Sequence, residues 1–142
     1  YVASKWALEG VSEELALEVA PFGIRVAIIE PGVTKSAIFS KNTEAPNDSG
    51  AYDQQYGRMF SFYAAGIRQA TPAEEVAEVI HHAIHTESPQ LRYAVSWAAE
   101  GIIDGKAKMG SNDWAELGAI ADDAGYAARF GELFGVDISA AE

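Results

Sequence analysis

A tyrosine and a lysine stand four residues apart at the start of the chain, as Tyr1 and Lys5. Four residues make about one helical turn, so on a helix the two side chains lie on the same face. A lysine ammonium close to a phenol stabilises the phenolate, which favours proton transfer at neutral pH. The spacing therefore predicts a proton donor and acceptor, although an ordinary surface pair would give the same pattern.

The segments that must position this pair are a helix and a strand. Apolar residues recur at helical spacing from the pair up to a turn at Ala20-Pro21-Phe22-Gly23, with glutamates on the other side. The next segment, Ile24–Glu30, is almost wholly apolar and β-branched, which predicts a central parallel strand buried on both faces. Pro31 and Gly32 follow at the carboxyl end of this strand, where open α/β sheets bind their ligands.

Four short motifs follow one another within the first 36 residues. They are Tyr1-x-x-x-Lys5, Ala7-Leu-Glu-Gly10, Pro21-Phe-Gly-Ile-Arg-Val26 and Glu30-Pro-Gly32. Their order and separations resemble those of the short-chain dehydrogenase/reductase family. The resemblance is close from Tyr1 to Ser36 and looser over the rest of the chain.

The resemblance implies an α/β fold, namely the C-terminal part of one Rossmann-like domain with a doubly wound parallel sheet. The family's catalytic tyrosine lies past the middle of its domain, and this sequence has neither a Gly-rich phosphate loop nor a methionine at position 1, so we expect a fragment of a longer protein. The expected parts are the catalytic helix, strand and cofactor loop (1–36), a helical substrate loop (37–70), a helix and the last strand (71–97) and a helical tail (98–142).

The resemblance also implies an NAD- or NADP-dependent oxidoreductase that interconverts an alcohol and a ketone or aldehyde. Tyr1 would exchange a proton with the substrate oxygen, and Lys5 would assist Tyr1 and bind the nicotinamide ribose. Thr34 or Ser36 would offer a hydroxyl to the carboxamide or the phosphates, with Ser36 standing where the family often has threonine. The expected cofactor-binding residues are Tyr1, Lys5, Pro31, Gly32, Val33, Thr34 and Ser36. The family's carbonyl-polarising serine lies upstream of the tyrosine and is not assigned in this sequence.

An aromatic stripe follows the polar stretch Lys41–Gly50. Tyr52, Tyr56, Phe60 and Tyr63 recur on one face of a predicted short helix. The stripe either belongs to the core or covers an apolar substrate as a lid, and the resemblance favours the substrate loop. We therefore expect a hydrophobic ketone, aldehyde or alcohol as the substrate.

A second helix is predicted after the aromatic stripe. Thr71-Pro72-Ala-Glu74 is typical of a helix N-terminus with the threonine hydroxyl as its cap, and the helix should run to about Thr86. His81 and His85 share a face on it, but the glutamate of a metalloprotease motif is absent between them, so no metal site is predicted. The segment Arg92–Trp97 then predicts the last strand of the sheet.

The remaining tail is predicted to be helical. Ser111 is placed to cap one helix, and a second helix carries aromatic residues up to Gly135. These aromatic residues could pack on the domain, close over the active site or contact another subunit. By resemblance, the complete protein is expected to form a homo-oligomer.

The composition argues against several other classes of protein. A net charge of -11 with only ten lysines and arginines argues against nucleic-acid binding. No apolar run approaches a membrane span, and a hydrophobic content of 49% suits one core. The absence of cysteine excludes disulfides and thiol chemistry and favours a reducing cytoplasm.

Two alternatives remain open. An extended-type sugar-nucleotide epimerase or dehydratase also uses a Tyr/Lys pair and a nicotinamide, but Glu30-Pro-Gly32 and the short C-terminal region fit the single-domain oxidoreductases better. A non-catalytic fragment would need a partner to cover its unpaired strand edge. We expect the isolated 142 residues to bind cofactor poorly and to turn nothing over.

Overall fold

The computed structural model describes residues 1–40 and 47–139. Residues 41–46 of the predicted substrate loop and 140–142 of the tail lie outside the described residues. The strands are β1 (Ile28–Pro31) and β2 (Arg92–Val95). The α-helices are α1 (Val2–Val19), α2 (Asp53–Gln69), α3 (Ala73–His85), α4 (Ala99–Lys108), α5 (Asp113–Ala119) and α6 (Asp123–Phe134), with short 3-10 turns at Ala20–Phe22 and Ala37–Ser40.

The two strands pair in parallel, with Ile28 opposite Arg92 and Pro31 opposite Val95. The α/β class with a parallel sheet is thus confirmed. The predicted start and burial of the first strand were wrong, because β1 begins only at Ile28 and Glu30 is half-buried. The pairing explains this, since β2 begins at Arg92 and is the one strand that hydrogen-bonds to β1 within the described residues.

Helix α1 begins directly after Tyr1 and ends at the predicted turn, where Gly23 adopts a left-handed φ of 71°. It contains no buried residue. Its connection to the sheet is ionic: Arg92 of β2 donates to the carboxylate of Glu9 at 2.7 Å and to that of Glu13 at 3.3 Å. These ion pairs hold the helix over β2 without an apolar core beneath it.

The main buried cluster lies in the C-terminal tail. Phe130 and Phe134 of α6 pack with their ring centroids 4.6 Å apart, and Phe62 of α2 meets Phe130 at 6.0 Å. The tail's aromatic residues thus pack on the domain, the first of the three options given by the sequence. The buried members of the cluster are Leu117, Phe130, Phe134, Val136 and Ile138.

The predicted caps of two helices were wrong. Helix α3 has Pro72 as its N-cap without a side-chain hydrogen bond, because the Thr71 hydroxyl donates to Ser96 instead. Helix α5 begins after Asn112 rather than at a Ser111 cap, and Asp113 accepts from the Gly110 N–H at 2.8 Å. The predicted extents were closer: α3 ends at His85 and α6 stops at Gly135, which has a φ of 64°.

Helix α2 is fastened to the tail by a buried arginine. Arg58 is only 7% exposed, and it donates to the Asp123 carboxylate at 2.8 Å and to the Ile120 carbonyl at 2.6 Å. Its guanidinium also lies 4.3 Å from the ring centroid of Tyr126. Burial raises the pKa of Tyr126, and the positive charge of Arg58 offsets part of that rise.

Candidate active site

Tyr1 and Lys5 lie on the same face at the start of α1. Tyr1 is the N-cap residue, and its carbonyl accepts the Lys5 N–H at 3.1 Å, which closes the first helical turn. The Lys5 ammonium lies 5.5 Å from the centroid of the Tyr1 ring. Both side chains are exposed, Tyr1 to 91%. The helical spacing therefore does bring a phenol and an ammonium together, and their chemical roles stay predictions.

Tyr1 and Lys5 line a cleft of about 660 Å³ between α1, β1 and α4. The cleft runs along β1 to Pro31 and Gly32 at the carboxyl end of the strand. Its walls include the apolar side chains of Ile28 and of Ile102 and Ile103. Four of the seven residues expected to bind the cofactor line it, namely Tyr1, Lys5, Pro31 and Gly32.

Gly32 is required by a close approach of two backbone segments. Its N–H donates to the Val95 carbonyl at 2.8 Å. A Cβ atom at Gly32 would overlap the carbonyl oxygen of Trp97. The absence of a side chain therefore allows the loop after β1 to lie against the turn between β2 and α4.

The other three expected cofactor residues do not line this cleft. Val33 is 7% exposed, and its N–H donates to the Trp97 carbonyl at 3.0 Å. The Thr34 hydroxyl lies 2.9 Å from that of Ser96, in a half-buried position. Ser36 is exposed, and its hydroxyl accepts the Ile38 N–H at 3.4 Å.

A carboxyl that sequence reasoning did not select also lines the cleft. Glu30 is half-buried, and its Oε2 atom is buried without a hydrogen-bond partner among the described residues. Burial, and then the negative charge of Glu9, raise the pKa of Glu30, while Arg92 offsets part of the rise. The sequence feature that could have identified Glu30 is its position as the single acidic residue in an otherwise apolar strand.

The aromatic stripe of α2 faces away from the core. Tyr52 is 63% exposed, Phe60 51% and Tyr63 38%, while the half-buried Tyr56 stacks on Phe60 with centroids 6.3 Å apart. The buried residues of α2 are others, namely Arg58, Ala65 and Gly66. The stripe is thus an exposed apolar surface, and none of its four residues lines the cleft described above.

The two histidines that share a face of α3 stack on each other. The rings of His81 and His85 have centroids 4.1 Å apart, and the His85 Nδ1 atom lies 2.8 Å from the His81 carbonyl oxygen. Within residues 1–40 and 47–139, no three histidine or acidic side chains converge in a way that would hold a metal ion. In the same ranges, no helix combines the length and apolar character needed to cross a membrane.

Comparison with known proteins supports the family suggested by the motifs. The family model for short chain dehydrogenase matches residues 1–47. The Bacillus subtilis protein named uncharacterized oxidoreductase YusZ is 39% identical over 100 residues, which cover 67% of this chain and 36% of YusZ. Mouse 17-beta-hydroxysteroid dehydrogenase type 1 is 37% identical over 98 residues, which cover 66% of this chain and 28% of the mouse protein.

A solved structure supports the same family. A short-chain dehydrogenase from Streptomyces avermitilis is 35% identical and superposes with a TM-score of 0.63, over 83% of this chain and 42% of that one. The helices and the parallel strands define an α/β protein of the Rossmann-like type. The chain belongs to the short-chain dehydrogenase/reductase family. It spans less than half the length of each of these three relatives.

Proposed function

We propose that this chain carries the proton-transferring site of an NAD- or NADP-dependent oxidoreductase that interconverts an alcohol and a ketone or aldehyde. The observation that carries the proposal is the cleft shared by Tyr1 and Lys5 with Pro31 and Gly32 at the end of β1. The relatives named as dehydrogenases and oxidoreductases support the same class of reaction. None of those named above is a sugar-nucleotide epimerase, so nothing favours that alternative.

Tyr1 is the group proposed to exchange the proton. In the reductive direction its phenol donates a proton to the carbonyl oxygen, and in the oxidative direction the phenolate accepts one from the alcohol. Lys5 lies on the same helix face, with its ammonium 5.5 Å from the centroid of the Tyr1 ring. The bound nicotinamide supplies or accepts the hydride.

The residues that line the cleft include a donor suited to a nicotinamide nucleotide. Lys5 offers three N–H donors, which suit the vicinal hydroxyls of a ribose. Pro31, Gly32 and Val33 are proposed to border the nicotinamide. Thr34 or Ser36 is proposed to offer its hydroxyl to the carboxamide or to the phosphates.

We propose a hydrophobic substrate. The cleft has isoleucine side chains at positions 28, 102 and 103. The aromatic stripe of α2, proposed as the substrate loop, is an exposed apolar surface that an apolar molecule could cover. One relative's name, 17-beta-hydroxysteroid dehydrogenase, denotes an apolar alcohol as its own substrate.

We also propose that the complete protein is a homo-oligomer in the cytoplasm. Large apolar side chains on α1 are exposed, among them Trp6 at 64%, Val11 at 66% and Leu17 at 73%, and such a surface suits a second subunit. The chain has no cysteine, which suits a reducing compartment. Its net charge of -11 supports a small-molecule substrate rather than a nucleic acid.

The test is a Tyr1→Phe substitution in the complete product of the gene, assayed for turnover of apolar secondary alcohols and ketones with NAD and NADP. Loss of the phenol oxygen should lower kcat by roughly 10²-fold or more, while the cofactor Kd changes by less than about twofold. Tyr93→Phe is the matched control, because it removes a phenol oxygen outside the cleft that accepts the Gln90 N–H at 2.9 Å.

The control should keep nearly normal turnover. If Tyr1→Phe also keeps it, the assignment of Tyr1 as the proton-transferring group is refuted. If the unaltered protein binds neither cofactor, the proposed function itself is wrong.

A further inference from the structure

Three hydroxyl groups meet behind the loop that follows β1. The Thr71 hydroxyl donates to the Ser96 hydroxyl oxygen at 2.7 Å, and the hydroxyls of Thr34 and Ser96 lie 2.9 Å apart. All three residues are half-buried. They come from three separate segments, the loop after β1, the connection between α2 and α3 and the turn after β2, so Ser96 joins segments that are distant in sequence.

Backbone hydrogen bonds fix the same loop on both sides. The Lys35 N–H donates to the Thr71 carbonyl at 2.9 Å, and the Thr71 N–H donates to the Val33 carbonyl at 3.4 Å. On the other side the Val33 N–H donates to the Trp97 carbonyl. The loop therefore takes its position from Thr71 and from the turn at Ser96 and Trp97.

Ser96 holds its place at a conformational cost. Its φ of 73° lies in the left-handed region, where a residue with a Cβ atom is disfavoured and glycine is not. A serine here bears that cost and contributes a hydroxyl that glycine lacks. Backbone strain of this kind is frequent at functional sites, where surrounding contacts maintain it.

The three hydroxyls have one proton each, and counting these protons indicates which hydroxyl can donate outside the cluster. Thr71 uses its proton on Ser96. If Ser96 uses its own proton on Thr34, each bond has its own donor, and the Thr34 proton remains available to an acceptor outside the cluster. Hydrogen bonds in such a chain polarise one another, which strengthens the terminal donor.

We propose that Ser96 and Thr71 are positioning residues that hold Thr34 as a hydrogen-bond donor to the bound nicotinamide nucleotide, at its carboxamide or a phosphate oxygen. This inference rests on the proposed function. It also distinguishes the two hydroxyls expected to serve the cofactor, because Ser36 is exposed and lies outside the cluster.

The test is fluorescence titration of NADH and NADPH into the complete gene product and its variants. Ser96→Ala and Thr71→Val each remove one hydroxyl and should raise the cofactor Kd roughly fivefold, the factor expected for about one hydrogen bond. Thr71→Ser is the matched control: it keeps the hydroxyl, and its Kd should stay within about twofold of the unaltered protein's. The cofactor Kd of the double variant Thr34→Val/Ser96→Ala should be no higher than the higher of the Kd values of Thr34→Val and Ser96→Ala alone. Both substitutions disrupt the same hydrogen-bonded cluster, so their effects should not add.

Thermal unfolding of each variant separates positioning from stability. If Ser96→Ala does not fold, Ser96→Gly replaces it in the test, since glycine adopts the positive φ freely and also lacks the hydroxyl. A lower melting temperature with an unchanged Kd overturns the inference and leaves the proposed function standing. Failure of the unaltered protein to bind either cofactor overturns the proposed function, and this inference with it.

Discussion

Helix α1 and the C-terminal tail differ in how they are held in place. No residue of α1 is buried, and its ionic contacts with the sheet come from Arg92. The tail instead contains a compact apolar cluster in which Leu117 is 2% and Phe134 3% exposed. The proposed proton-transferring pair thus lies at the start of a helix with no buried residue, whereas the tail, which contains this apolar cluster, carries no proposed catalytic group.

This difference separates the source of stability from the place of chemistry. The buried Arg58 of α2 binds to Asp123 and Ile120 of the tail, and within the tail α4 packs against α6. Helix α1 depends on ion pairs at the protein surface, which contribute less than apolar burial. Substitutions in the tail should therefore affect folding, and those at the start of α1 should affect chemistry.

The largest expected difference is between two aromatic truncations. Phe134→Ala removes a buried ring and should lower the free energy of unfolding by about 3 to 5 kcal/mol. Trp6→Ala removes a ring that is 64% exposed and should change it by less than about 1 kcal/mol in the 142-residue chain. Urea unfolding of the two variants measures both quantities, and equal losses would contradict the contrast between tail and α1.

A smaller difference is expected between two arginines that each bridge two elements. Arg58→Met removes a buried guanidinium and should cost about 2 kcal/mol, because its bonds to Asp123 and to the Ile120 carbonyl are charge-assisted. Arg92→Met removes ion pairs in which the arginine side chain is 35% exposed, and should cost about 0.5 kcal/mol. Methionine preserves apolar contact in both, and denaturant midpoints give the comparison. A larger loss for Arg92→Met would show that α1 is held more firmly than its burial suggests.

The smallest expected effect concerns Glu30 and has a definite sign. Its pKa is raised above the ordinary value of 4.5, so the folded protein binds the proton more tightly than the unfolded chain. The stability contributed by the protonated form is present below that ordinary value and is lost as the pH rises through the folded-state pKa. Glu30→Gln should therefore be slightly more stable than the unaltered protein at pH 7, and this advantage should shrink as the pH falls through the folded-state pKa and be lost below 4.5.

Paired urea titrations of the unaltered protein and Glu30→Gln at neutral and acidic pH measure this effect. A gain that is the same at both pH values would show that the charge of Glu30 is not its cause.

Local patterns in the sequence were enough to predict several parts of the fold. Helical periodicity and the turn at Ala20–Phe22 set the extent of α1, so the common face of Tyr1 and Lys5 followed from spacing alone. Gly135 marked the end of α6, because glycine readily takes the left-handed conformation found there.

The predictions that were wrong concern features that depend on contacts between residues distant in sequence. Residues 24–27 have strand composition, but a strand also needs a neighbour, and β2 reaches only as far as Ile28. The Thr71 hydroxyl was expected to cap α3, but Ser96, 25 residues further along, competes for its proton. Periodicity also identified the aromatic face of α2 without showing which way that face turns.

A crystal structure of the complete gene product with bound NAD or NADP would test the proposed site of proton transfer. We expect the nicotinamide ring to lie in the cleft beside the Tyr1 phenol, with the ribose hydroxyls within hydrogen-bonding distance of the Lys5 ammonium. A nicotinamide bound elsewhere, with neither Tyr1 nor Lys5 in contact with it, would refute the proposed site.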